Sequence, residues 1–261
     1  VANDFSGDEN CVALWKFESG ALTADSKGTN TLLNYPGGSP TENTSDYKEG
    51  SCAANTTSAG ESSKCFYIPD ANLSAGFPLK SGDTVKKISV CGWFKYNTIT
   101  NYGGPFGKGD YGNATQSLWS LFTFSDARWV SQMSHTDGDQ SEILYLGTGA
   151  NLAQTGRWYH YGFTFDDSDK SWKLVVWDDT AGSKVVDASG NAVHNINVEN
   201  ASVRVSGVGS FAEINVLGPI EGLIDEIVVF KDILTATEID KIRAGTYGAA
   251  GRTSFIMPFS G

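Results

Sequence analysis

Short apolar runs recur along this chain at close intervals, and helical text appears in one place only, residues 235–244. CVALWKF, ISVCGWFKYN, SLWSLFTFS, RWVSQMSH, GRWYHYGFTFD and SWKLVVWDD each have the length of a strand and are bounded by Gly, Asp, Asn or Ser. With no helical layer available to cover a parallel sheet, such runs must pack sheet against sheet. No internal repeat or second domain is visible, so the expectation is one all-β sandwich or barrel over residues 1–261. The 30 glycines, 40% hydrophobic and 19% charged residues describe a folded, turn-rich chain with an ordinary core.

The stretch Glu221–Ile242 closes this pattern. Ile224, Ile227 and Val229 fall mostly on one side and Val228 and Phe230 on the other, as in a strand covered on both faces. Thr235 then stands three residues before Glu238, the spacing of a capping box, with Leu234 placed to staple onto Ile239. Asp225 and Glu226 interrupt the strand. Strand alternation points them to opposite faces, with Glu226 a solvated edge residue. Asp225 then needs a metal, a hydrogen-bonded turn or water.

The net charge of −11 lacks the positive field that collects a phosphate backbone, which excludes a nucleic-acid partner. No apolar run reaches the roughly 18 residues of a membrane helix. The opening VANDFSGDEN reads as a mature or trimmed form, which is compatible with export. Sequons at Asn43, Asn55, Asn72, Asn113 and Asn200 fit secretion of a glycoprotein. Four cysteines, Cys11, Cys52, Cys65 and Cys91, have no spacing that suggests zinc. A Cys52–Cys65 disulfide would fasten the polar segment 36–64, read as a long surface insertion, and Cys11 and Cys91 would then join two strands. Four buried free thiols are the alternative.

Aromatic residues supply the candidate binding surface. Trp15, Trp93 and Trp158 read as core, whereas Trp119, Trp129, Trp172 and Trp177 are candidates to stack on sugar faces. Tyr102, Tyr111 and Gln132 would form the rim. Trp119, Trp129 and Gln132 can reach one sheet face, although their strands can equally turn the tryptophans inward. Asp25 and Asn30 bracket Gly28 in a turn that either converges oxygens on one point or caps its own backbone. The apolar tail AAGRTSFIMPFSG, within 248–261, would pack back on the domain or form a self-association surface.

The ordered set LWKFESG, DSKG, ISVCGWFKYN, GRWYHYGFTFD, KLVVWDD, FAEINVLG and EGLIDEIVVFKDILTATEI resembles the laminin-G-like, concanavalin-A-like lectin-glucanase jelly-roll family. The resemblance covers roughly residues 12–247 and is most specific in the closing Ile-Asp-Glu strand with Leu-Thr-x-x-Glu-Ile. It implies a sandwich of two antiparallel sheets with one short C-terminal helix. It further implies an extracellular or cell-surface binding module for carbohydrate or extracellular protein, stabilised by calcium, with Asp25, Asn30 and Asp225 as side-chain ligands and backbone carbonyls near Gly28. A structural or adhesive assembly subunit is the second expectation. A glycoside hydrolase or polysaccharide lyase of the same fold is the third. It is disfavoured because no Glu-x-Asp-x-Glu face and no GxSxG elbow is present.

Overall fold

The computed structural model describes residues 2–36, 38–57, 64–100, 103–109, 117–135, 141–148, 152–198, 200–206 and 220–248. The strands in chain order are β1 (Cys11–Trp15), β2 (Leu33–Asn34), β3 (Thr41–Asn43), β4 (Ala53–Asn55) and β5 (Phe66–Ile68). They continue with β6 (Lys87–Thr98), β7 (Gly103–Gly109), β8 (Ser117–Thr123), β9 (Trp129–Ser134) and β10 (Ser141–Leu146). The last are β11 (Trp158–Asp166), β12 (Ser171–Asp178), β13 (Ser183–Asn191), β14 (Val203–Val205) and β15 (Glu221–Phe230), before helix α1 (Ala236–Arg243).

All described pairings are antiparallel, and they form two sheets. The larger runs β13-β12-β11-β6-β15-β4-β3, with β1 also on β15. The smaller runs β10-β9-β8-β7-β14-β5-β2. This is the jelly-roll-like, all-β architecture with one short helix.

Strand alternation builds the core. Tyr159, Tyr161, Phe163 and Phe165 of β11 point inward, as do Trp119 and Leu121 of β8 and Trp129 and Met133 of β9. Trp119 stacks on Phe163 at 4.1 Å across the gap between sheets, and Trp129 meets Tyr159 edge-on at 5.2 Å.

The outer face of the larger sheet is also covered. Phe5, Leu14, Val228, Phe230, Leu234, Ile239, Ile242 and Tyr247 form a second apolar cluster there. Thr235 caps α1 through the full box with Glu238. Ile239 presses on β11 at Gly162, where a Cβ would lie 2.5 Å from Ile239 Cγ2. Trp93 and Trp158 are buried, but they pack on this outer face with Ala53 and Leu223 and not between the sheets.

Two expectations need correction. All four cysteines are buried free thiols. Cys11 pairs with Phe230 and Cys91 with Val228 on opposite edges of β15, so they stand two strand spacings apart, roughly 9–10 Å. A disulfide spans at most about 7 Å between Cα atoms. Cys52 leads into β4 of the larger sheet, and Cys65 leads into β5 of the smaller one. Segment 36–64 is likewise more than an insertion loop: it supplies β3 and β4, and Cys52, Ala53, Ala54 and Thr56 are fully buried.

Candidate functional site

Gln132 marks a continuous row across the outer face of the smaller sheet. Leu33 pairs with Tyr67, Tyr67 with Arg204 and Arg204 with Gly107. Gly107 then pairs with Ser120, Ser120 with Gln132 and Gln132 with Ile143. On β5 and β14 the residues either side of the row point inward. Phe66 and Ile68 flank Tyr67, and Val203 and Val205 flank Arg204. From Tyr67 on β5 to Gln132 on β9 is four strand spacings, roughly 19 Å.

The row is shaped as a shallow floor between two raised ends. Gly107 has no side chain, and Ser120 is small and buried. Tyr67, Arg204 and Gln132 stand half-buried around them. At one end Tyr35 and Tyr67 meet edge to face at 5.9 Å, and the Arg204 guanidinium lies 5.6 Å from the centre of the Tyr35 ring. Arg204 Nε donates to the Gly109 carbonyl at 3.4 Å, and its charge lies beside Cys65, whose thiol is pushed up to about 12 by burial. Two aromatic rings, a guanidinium, a hydroxyl and an amide along one face can stack on apolar C–H surfaces and hydrogen-bond to hydroxyls.

Trp119 and Trp129 do not join this face. Both are fully buried between the sheets, so no ligand can stack on them. Tyr102 and Tyr111 lie outside the described residues. Trp172 is nine-tenths buried, and Trp177 is half-buried on the larger sheet under the Arg243 guanidinium at 3.9 Å.

Asp25, Asn30 and Asp225, expected to share a calcium ion, each accept backbone amides. Asp25 Oδ1 accepts the amides of Leu14 and Lys27, both at 2.9 Å. Asp25 Oδ2 accepts the Asn30 amide at 2.9 Å and the Asn30 side-chain Nδ2 at 3.3 Å. Asn30 Oδ1 in turn accepts the Ser74 amide at 2.8 Å. Asp25 is thus the self-capping turn, with its oxygens committed to N–H donors. Asp225 is fully buried on β15, where its Oδ2 accepts the amides of Lys48 at 2.7 Å and Glu49 at 2.9 Å. It anchors the loop before β4. Among the described residues no group of three or more His, Cys, Asp or Glu is placed to hold a metal.

The relation of Asp225 to Glu226 also differs from expectation. Pairing slips between Asp225↔Trp93 and Val228↔Cys91, which is a β-bulge against Gly92. Glu226 adopts φ 39° there, and a Cβ at Gly92 would come within 2.9 Å of Ile227 Cγ1. Ile224 and Ile227 both enter the core, so the two acids between them share the outer face. Glu226 is buried and accepts the Asn3 side chain at 2.9 Å. Burial pushes the Asp225 carboxyl up to about 8, against the pull of the Glu49 and Lys48 amides, and raises Glu226 as well.

Comparison with solved structures gives the fold. A botulinum neurotoxin DC binding domain in complex with rat synaptotagmin II superposes at TM-score 0.60 and 10% identity, over 92% of this chain and 52% of that one. A botulinum neurotoxin type C structure, whose description makes cell entry dependent on two ganglioside molecules, gives TM-score 0.59 and 13% identity, again over 92% and 52%. The chain therefore spans about half the length of these neurotoxin chains. The carbohydrate-binding module CBM40 of a Ruminococcus gnavus sialidase, bound to α2,3-sialyllactose, matches at TM-score 0.48 and 15% identity, covering 62% of this chain and 83% of that one. At these identities the likeness is one of fold. No protein-family model and no curated protein matches the chain.

Sequence reasoning singled out Gln132, which lies on this face, and did not single out Tyr67, Arg204 or Tyr35. Their strands, β2, β5 and β14, are only two or three residues long, too short for alternation to announce a face. The available signal was the single polar residue flanked by valines in Val203-Arg204-Val205.

Proposed function

We propose that this chain is a carbohydrate-binding module acting outside the cell, with the outer face of the smaller sheet as its binding surface. The observation that carries the reading is the Tyr67–Arg204–Gly107–Ser120–Gln132 row, which sets aromatic, cationic and amide groups along a flat floor. The neurotoxin binding domains that share the fold, one of them described with gangliosides, lend support at the level of the fold. Binding without catalysis fits the row, which carries no carboxylate and so offers no pair for glycosidic-bond chemistry. No described helix is long and apolar enough to cross a membrane.

A glycan array tests this reading directly. Arg204→Ala and Gln132→Ala are each expected to weaken the best array ligand about tenfold or more, the loss typical of a central contact. The melting temperature of Gln132→Ala should stay near that of the parent. Array binding that survives both substitutions overturns the assignment of this face.

A second reading, self-association, has one observation in its favour. β10 ends the described order of the smaller sheet, with Ile143 50% and Leu146 40% exposed and no Lys or Pro along the strand. A mass in solution that rises with concentration, and reverts to monomer in Ile143→Lys, would establish it. The C-terminal tail expected to take part lies outside the described residues.

A further inference from the structure

The inner layer of the smaller sheet holds a lysine. β7 sends Phe106 into the core, and strand alternation sends Lys108 the same way. Lys108 pairs with Val203 of β14 and with Trp119 of β8, both core residues, and is 1% exposed. Its Nζ lies 2.7 Å from Asp70 Oδ1 and donates to the Ala201 carbonyl at 2.6 Å. Asp70 opens the 3₁₀ turn Asp70–Asn72 that follows β5, and it is buried. The Ser81 amide donates to both Asp70 oxygens, at 3.3 Å to Oδ1 and 3.2 Å to Oδ2.

As an ion pair this arrangement returns little. Desolvation of both charges offsets most of their attraction, and apolar residues of the same volume often serve a core as well. What the pair does supply is reaction geometry. An amine is held against a carboxyl in a site closed to water, with an N–H aimed at the carboxyl oxygens.

We propose that Lys108 and Asp70 join through a side-chain amide, an intramolecular cross-link that the folded chain forms by itself. The inference stands apart from the carbohydrate-binding reading. One proton passes from Nζ to the Asp70 carboxylate along their hydrogen bond, and burial favours the resulting neutral amine and carboxyl over two charges. The Nζ lone pair then forms a bond to Cγ, and the oxygen that gains charge is held by the Ser81 N–H. Nζ gives a second proton to the hydroxyl, the C–O bond breaks and one water leaves. Nothing is oxidised or reduced, and no further reactant enters. Two charges leave the core. The loop closed between residues 70 and 108 restrains the unfolded chain as a disulfide would, in a chain whose four cysteines are free thiols.

The intact mass of the full chain, kept folded overnight at neutral pH and then denatured in acid, tests the proposal. The parent should weigh less than its sequence by one water. Trypsin should release residues 65–80 and 96–128 as one joined peptide, uncut after Lys108. Lys108→Arg, which keeps the charge, and Asp70→Ala should each show the full sequence mass. That readout does not depend on how stably either variant folds. A parent of full mass, with the two peptides released separately, leaves a buried ion pair only and overturns the proposal. A missing water that persists in Lys108→Arg or in Asp70→Ala places the loss elsewhere in the chain and also overturns it.

Discussion

Asp225 and Glu226, consecutive in sequence, stand on the same face of β15, because a bulge against Gly92 spends one residue without crossing the sheet. The outcome is two buried carboxyls side by side, with Glu49, also raised by burial, near Glu226.

Burial of Asp225, reinforced by the neighbouring Glu226 charge, makes stability fall as pH rises. The Asp225 carboxyl moves from 3.8 to about 8 on folding. Between those values the folded chain holds a proton that the unfolded chain has released, so unfolding free energy declines by up to roughly 1.4 kcal/mol per pH unit. Asp225→Asn keeps an oxygen for the Lys48 and Glu49 amides and removes the titration. Denaturation followed from pH 5 to 9 should show a flatter profile for Asp225→Asn and greater stability than the parent at pH 8. Parallel profiles would contradict the assignment.

Asp25 serves the fold through its four N–H partners. Asp25→Ala should cost about 2–4 kcal/mol, since it leaves buried donors without acceptors. The loss should be equal with added calcium and with a chelator. A loss present only with calcium would restore Asp25 as a metal ligand.

The four thiols should behave as interior groups. A thiol reagent is expected to label none in the native chain within minutes and four in denaturant, as read by mass. Burial pushes Cys11 and Cys65 up to about 12, which suppresses the reactive thiolate. The melting temperature should be the same with and without reductant, and a drop in reductant would mean a disulfide.

Gly162→Ala should destabilise the chain by about 1–3 kcal/mol, because its methyl enters the space of Ile239. Ile239→Ala should recover part of that cost in the double variant, giving a coupling measurable by denaturant titration.

Much of the scaffold was legible because its signals are local. Trp158, His160, Gly162 and Thr164 alternate with four aromatic residues on β11, and Thr235 and Glu238 declare the helix. The faces of β8 and β9 were not legible, since Phe122 and Val130 are as apolar as Leu121 and Met133, and only the partner sheet decides which set goes inward. Asp225 and Glu226 were misread for a related reason: a bulge is a property of the pairing with Gly92 and leaves no mark in β15 itself. The row across the smaller sheet assembles residues from positions 33 to 204, joined only by strand order.

The Asp4 amide bonds the Tyr247 carbonyl at 2.7 Å, and Phe5 stacks on Tyr247. Residues 4 and 247 thus meet at one point, and β1 and β15 run side by side from it. Tension applied across these two ends would open that clasp first and then part the β1–β15 ladder one bond at a time, as a zip opens.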